Sequence, residues 1–340
     1  MTASPAGNPR YLVSGASGML GTALQQALAA RRLPVLQLVR PNPPRRPRWF
    51  EPSRPIDAEP REPSDASANR PGVTGVAIPG QFSWNPAANP AIAHPEVLEG
   101  FTAAIHLSGA SVAAHRWTAA YKRAMTASRV DSTLALSTTL ARLRHPPQAL
   151  LVASAVGFYG NRADELLDET SAPGSGFLAD LCGQWEAAAQ PAAAAGIRVV
   201  HLRFGVVLGP GPGALARMAP LFRLGLGGRL GSGRQWMSWI SLTDALAAIL
   251  FALDTPTLAG PVNLTAPNPV TNAQFTRALA RQLHRPALLP VPAFALRLAL
   301  GEMGDEALLA SARVFPSKVT TRGFRFAHPT VALALAAALP

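Results

Sequence analysis

The 340-residue sequence is short of several things, and each shortage excludes a class of protein. Cysteine occurs once, at Cys182. One thiol closes no intrachain disulfide and builds no cysteine zinc cage, which predicts a reducing compartment. Long apolar runs are missing: no stretch reaches the ~18–20 residues that a membrane span needs. The nearest, "LLPVPAFALRLALG", is interrupted by prolines and by Arg297. The first ten residues lack the charged-then-apolar layout of a signal peptide. Together these features predict a cytoplasmic protein with no membrane partner. The seven histidines show no metal-ligand spacing, and there is no GxSxG nucleophile elbow, so neither a metal nor an acyl-enzyme is expected.

Acidic residues are also scarce, 19 against 31 lysines and arginines, for a net charge of +12. A basic chain attracts polyanions. The arginines are scattered, however, with one local cluster at Arg45, Arg46 and Arg48 inside a Pro-rich stretch. No basic helix with interleaved aromatics and no zinc spacing accompanies them, so no specific nucleic-acid partner is expected. With 48% hydrophobic and only 15% charged residues, the chain reads as globular and long enough to bury a large core.

What is present begins with "RYLVSGASGMLGTALQQAL", residues 10–28. Residues 11–14 read as a buried strand and 19–32 as a helix with one apolar face. Residues 34–39, "PVLQLV", read as a second strand. Gly15, Gly18 and Gly21 stand three apart in the turn between strand and helix. Unpaired N–H groups at a helix N-terminus attract phosphate, and a Cβ in the turn would hold a pyrophosphate away. The strand, glycine turn, helix and second strand together make the context that such a fingerprint requires. No Asp or Glu ends the second strand. Arg40 stands there, positioned to meet a 2′-phosphate and so to favour NADP(H) over NAD(H), unless it is an ordinary exposed arginine.

Residues 41–80, rich in Pro, Arg, Ser and Asp without periodicity, read as a flexible insertion or a functional lid. Further strands are predicted at 102–109, 149–160 and 198–209. A long helix is predicted over 118–143 and another over 176–196. This alternation predicts an α/β fold, a doubly wound, Rossmann-like parallel sheet, followed by a smaller C-terminal α/β substrate or cap domain. The expected organisation is a dinucleotide domain over 10–210 and a C-terminal region over 211–340, with 285–340 as a small separate unit. Thr271 or Asn272 is the expected N-cap of a helix within "TNAQFTRALARQLHRP", residues 271–286.

Several motifs fall at predicted strand ends. "GASGMLG", "IHLSGA", "SRVDSTLAL", "SAVGFYG" and "LRFGVVLG" together resemble the extended short-chain dehydrogenase/reductase superfamily. With "FLADLCGQWEAAA", "GLGGRLGSGRQWMSWI" and "ARVFPSKVTTRGFRF" the chain resembles its epimerase-family subgroup, related by name to the cell-division inhibitor SulA. The resemblance implies that Gly15, Ser17, Gly18, Met19 and Leu20 hold the dinucleotide, and that Val39 and Arg40 lie at the adenosine phosphate. It places Leu107, Ser108 and Gly109 along the ribose and diphosphate, with Arg129 reaching over from the long helix. Phe204, Gly205 and Val206 are expected to border the nicotinamide.

The superfamily's acid–base pair, a Tyr with a Lys four residues later, is absent. On the matching helix Leu178 and Cys182 stand in those places, and neither replaces the pair. Ser154 and Tyr159 are the remaining catalytic candidates, each alternatively structural or cofactor-supporting. Tyr121 reads as partly buried, His106 as a satisfied core residue, and Asp164, Glu165, Asp168 and Glu169 as a solvated loop. The resemblance implies an NADP(H)-dependent oxidoreductase or sugar-nucleotide-epimerase-like enzyme acting on a small carbonyl or hydroxyl substrate, as a monomer or homodimer. The alternative is a non-catalytic NADP(H)-binding module that senses redox state or binds a partner.

Overall fold

A computed structural model describes residues 9–40 and 80–339. The 41–80 segment named above lies outside the described residues except for Gly80. In chain order the elements begin with β1 (Tyr11–Ser14), α1 (Met19–Ala30), β2 (Val35–Val39), β3 (Gln81–Ser83), β4 (Ala103–His106), α2 (Ala119–Ala127), α3 (Val130–Ala141) and β5 (Ala149–Ala155). They continue with β6 (Leu166–Leu167), α4 (Phe177–Ala187), α5 (Gln190–Ala194), β7 (Arg198–Phe204), β8 (Val206–Leu208), α6 (Ala214–Arg223), β9 (Trp236–Met237) and β10 (Trp239–Ser241). The last are α7 (Leu242–Asp254), β11 (Gly260–Leu264), β12 (Val270–Thr271), α8 (Asn272–Gln282), α9 (Ala293–Leu300), β13 (Arg313–Val314), α10 (Ser317–Thr321) and α11 (Val331–Ala338).

Seven strands form one sheet in the order β3-β2-β1-β4-β5-β7-β11, all parallel. The chain winds outward from β1 in one direction and then from β4 in the other. The switch point of a doubly wound sheet, where ligands bind, therefore lies between β1 and β4. β1, β4 and β5 are buried almost throughout, as expected of strands covered on both faces. One core cluster runs from Leu12 and Ile105 through Leu151 and Val200 to Ile249. A second one, around Trp239, Phe275 and Leu335, joins α8 and α11 beside β8 and β10.

Three expected elements are divided. The long helix breaks at Ser128–Arg129, where Ser128 Oγ donates to Met125 O (2.9 Å) and accepts the Ala110 N–H (3.0 Å). The helix over 176–196 ends at Ala187 and restarts as α5 with a proline in its first turn, where proline's missing N–H costs nothing. The strand over 198–209 splits at Gly205, and β8 leaves the main sheet to pair with β10. Thr271 is the N-cap of α8, in a reciprocal capping box with Gln274.

The C-terminal segment is held to the sheet unit by three carboxylates, each accepting two backbone N–H groups. Glu306 takes those of Phe177 (2.8 Å) and Leu178 (2.7 Å) and so caps α4. Asp244 takes those of Ala327 (2.7 Å) and His328 (2.9 Å). Glu169 takes those of Asn263 (3.0 Å) and Lys318 (3.2 Å). Glu169 is buried, so that part of the acidic loop is a clasp and not a solvated surface.

Candidate functional site

The glycine turn follows β1 at the switch point. Gly15 has φ +73°, a conformation that a side chain strains. A Cβ there would also lie 2.5 Å from the Leu107 carbonyl carbon and 2.7 Å from Ser108 N. The turn therefore packs directly on the loop after β4, and the Leu107 N–H donates to Ser14 O (3.0 Å). A Cβ on Gly21 would collide with Gly15 O, so this glycine seats α1 against its own turn. Gly18 is the N-cap of α1, and no side chain caps the helix. Its first N–H groups are left facing outward, with the positive end of the helix dipole behind them. Ser17 and Gly18 are exposed, while Met19 and Leu20 are half-buried. The start of α6 covers the turn from above: a Cβ on Gly213 would sit 3.3 Å from Met19 Sδ.

Val39 and Arg40 end β2 on the same edge, with Arg40 exposed. Under the turn, His106 is fully buried between Ser14 Oγ (2.5 Å from Nδ1) and Ser132 Oγ (3.1 Å from Nε2). Burial, and then the Arg40 charge, push its pKa down to about 3, so it is a neutral core residue.

Arg129 is buried at the helix break. It donates to Ala110 O (2.8 Å) and Met125 O (3.2 Å), and its Cζ lies 5.1 Å from the centre of the Trp185 ring. Gly109 is tight against it, since a Cβ there would meet Cζ at 3.2 Å. Among the described residues no carboxylate pairs with this guanidinium, and burial pulls its pKa down. An uncompensated cation thus stands directly behind the Leu107–Gly109 loop. On the other side, Phe204 and Gly205 are sealed between β11 and the Ser238 carbonyl, and Val206 is half-exposed.

The contact between α4 and the segment after β5 is filled. Gly157 allows α4 to press onto the segment after β5, where its Cβ would meet Leu178 Cβ at 3.3 Å and Cys182 Sγ at 3.8 Å. Burial, reinforced by Glu186, pushes the Cys182 thiol up to about 11. Below it runs a buried polar chain. The Ser154 hydroxyl donates to Glu186 Oε1 (2.7 Å), and Arg203 grips the same carboxylate through Nε (2.7 Å) and Nη2 (2.8 Å). Arg203 Nη1 donates to the Tyr159 hydroxyl (3.0 Å), which donates in turn to Asn263 Oδ1 (2.8 Å). Burial raises the Tyr159 pKa against the pull of Arg203, while Glu186 raises that of Arg203 against the cost of burial.

Ser154 and Tyr159 are therefore members of this network, and Tyr159 is wholly buried with its hydroxyl engaged on both sides. Sequence reading missed the partners that hold them, Glu186 and Arg203, and also Glu306, the cap of α4. Their i,i+4 and strand-end positions carry no distinguishing motif. Of the three tyrosines, Tyr11 is buried on β1 and Tyr121 is half-buried. Tyr121 donates to Ser111 O and meets the His115 ring edge-on at 5.0 Å. A shallow cavity of about 460 Å³ opens beside His115, Arg116 and Tyr121. No cluster of His, Cys, Asp or Glu able to hold a metal occurs among the described residues.

A doubly wound parallel sheet with an uncapped glycine turn at its switch point defines a Rossmann-like dinucleotide-binding protein. The chain belongs to the NAD dependent epimerase/dehydratase family, whose model matches residues 11–264. Residues 291–338 match a domain of unknown function, DUF1731. The chain is 42% identical to epimerase family protein Mb2239 of Mycobacterium bovis over 328 residues, 96% of this chain and 97% of that one. It is 40% identical to epimerase family protein YfhF of Bacillus subtilis over 68% of this chain and 76% of that one. Its fold is similar to the human epimerase family protein SDR39U1 crystallised with NADPH, with a TM-score of 0.79, 29% identity, and coverage of 97% and 98%. One relative, from Arabidopsis thaliana, is named as chloroplastic. Among the described residues no helix is long and apolar enough to cross a membrane.

Proposed function

We propose that this chain is an NADP(H)-dependent oxidoreductase of the epimerase family acting on a small carbonyl or hydroxyl compound. The observation that carries the reading is the uncapped start of α1 at Gly18, where a Cβ would meet nothing nearer than Gly15 O at 3.5 Å, on a turn that Gly15 and Gly21 let pack tightly beneath it. Arg40, and no acid, stands at the end of β2. The human relative's NADPH supports the same cofactor. When bound, that cofactor supplies hydride donor and acceptor chemistry.

The chain's own residues do the rest. The Met19, Leu20 and Gly21 N–H groups receive phosphate, and Arg40 meets the 2′-phosphate. Arg129 adds positive charge behind Leu107 and Ser108. Phe204 and Val206 wall the far end. The buried Ser154–Glu186–Arg203–Tyr159 chain holds β5, α4 and β7 in fixed relation and keeps Ser154 and Tyr159 in place beneath the reaction centre. A proton for a substrate oxygen needs a more open group. Tyr121, beside the loop after β4, is the tyrosine that combines partial exposure with that position.

Titration of the protein with NADPH and NADH tests the cofactor half. NADPH binds at least ~10-fold tighter, and Arg40→Ala removes most of that preference, about 1.4 kcal/mol. Equal affinity for both cofactors in the wild type would refute the assignment. Single-turnover NADPH oxidation across a panel of aldehydes and ketones tests the other half, with Tyr121→Phe slowing it.

The filled Leu178–Cys182 region favours a second reading, a module that binds NADP(H) without turning it over. Stoichiometric binding with no oxidation across the panel selects that one.

A further inference from the structure

The described residues contain ten exposed large apolar side chains, and seven of them fall in residues 221–226 and 288–298. The most exposed are Leu288 (81%), Leu298 (78%), Leu224 (72%) and Phe294 (71%). These two stretches are neighbours in space. Leu230 bridges Val291, the Val291 N–H donates to Arg229 O (2.9 Å), and Arg285 Nε donates to Arg223 O (3.0 Å). Phe294 and Leu298 lie four apart on α9 and so share one face of it.

The two stretches themselves carry charge of one sign. Residues 214–234 and 272–301 contain eight arginines and no Asp, Glu or Lys. Arg223, Arg229, Arg281 and Arg285 are exposed beside the apolar side chains. Arg297, on the far flank, is paired with Asp305 (2.8 Å).

We infer that this face docks on an anionic lipid surface. Protruding leucines and a phenylalanine ringed by arginine are complementary to a layer that is apolar inside and negatively charged outside. A second copy of the chain would press like charges together, which opposes self-association through this patch. All seven side chains are more than half exposed, so a surface that yields to them fits better than a partner with matching pockets. The absence of a spanning helix bears on crossing a bilayer and not on lying against one.

Flotation of the full chain with vesicles tests this, comparing pure phosphatidylcholine with an equal mixture of phosphatidylcholine and phosphatidylglycerol. The protein floats with the mixed vesicles and not with the neutral ones, and rising salt releases it. The triple variant Leu224→Ser, Phe294→Ser, Leu298→Ser changes only exposed positions, and its fold is checked by thermal melting. It loses at least ~10-fold in vesicle partition. Arg229→Glu with Arg285→Glu lowers binding to the mixed vesicles and weakens its salt dependence. Three results would each overturn the proposal. One is no flotation with anionic vesicles at low salt. Another is flotation unchanged in the triple variant, which would assign binding to general basicity. The third is a wild-type dimer in sedimentation that the triple variant dissolves. Patch-dependent binding to soluble polyglutamate without vesicle binding would give the face to an acidic protein instead.

Discussion

The glycine turn and the α4–β5 contact lie on the same edge of one sheet and are built in opposite ways. The turn is made of backbone: three glycines, an uncapped helix start and a loop pressed so close that no Cβ fits. Its carbonyls are engaged, Gly15 O by the Gly18 N–H and Ala16 O by Gln25 Nε2 (2.7 Å), while no side chain caps the N–H groups that open α1. At the α4–β5 contact the side chains do the work, and each polar atom of the Ser154–Glu186–Arg203–Tyr159 chain is answered by another. The difference separates two requirements of a dinucleotide-binding fold. Holding a diphosphate needs unsatisfied N–H groups, whereas a stable interior needs satisfied ones. This molecule leaves the first region open and closes the second.

The sharpest test of the closed region is Glu186→Ala. It leaves the Arg203 guanidinium buried with no carboxylate and removes the acceptor of Ser154. The expected loss is about 3–5 kcal/mol of unfolding free energy, read by urea denaturation. NADPH affinity at low temperature is expected to change little. A loss below about 1 kcal/mol would show that the network is not what holds α4 to β7.

Gly15→Ala strikes the open region. The φ of +73° and the 2.5 Å approach to Leu107 leave no place for a methyl group. About 2 kcal/mol of stability is expected to go. NADPH affinity falls at least ~10-fold, because the turn must open to admit the methyl. Fluorescence titration and melting, run on the same samples, separate the two effects. Unchanged affinity would mean that the dinucleotide sits elsewhere.

How far each region could be read from sequence follows from the same contrast. A glycine turn advertises itself, because its function depends on residues that lack side chains at fixed spacing. The parallel sheet was equally legible in its alternating apolar strands and helices. The closed network was not. Ser154 and Tyr159 look like free hydroxyls until Glu186 and Arg203 arrive from α4 and β7, and nothing local links those four positions. The break at Ser128–Arg129 was hidden for a similar reason. A side-chain bond to the Ala110 N–H from a distant loop ends the helix there, and helical periodicity continues across it.

His106 supports the open region from below, and pH tests it. Its folded pKa is depressed to about 3, against about 6.5 in the unfolded chain. The unfolded state therefore takes up the proton first. The stability that His106 contributes is complete above pH ~6.5 and is lost as the pH falls toward 3. Between pH 6.5 and 5 the loss is about 2 kcal/mol. His106→Gln removes that part of the slope of stability against pH. An unaltered slope in the variant would place the acid sensitivity in other groups.

The smallest effect is an expected silence. The sequence resemblance sets Cys182 at the place of the superfamily's lysine, so a reactive thiol there would make the closed region a disguised active site. The structure argues otherwise: Sγ is buried against Gly157, and its pKa is pushed to about 11. At pH 8 about one molecule in ~1000 carries the thiolate, and burial withholds even that fraction from reagent. Native protein incubated with iodoacetamide is expected to remain unmodified by mass spectrometry, and to take one label only after unfolding. Rapid labelling of the folded chain would show that α4 lifts from β5 in solution. The contrast between an open turn and a sealed centre would then be one conformation among two.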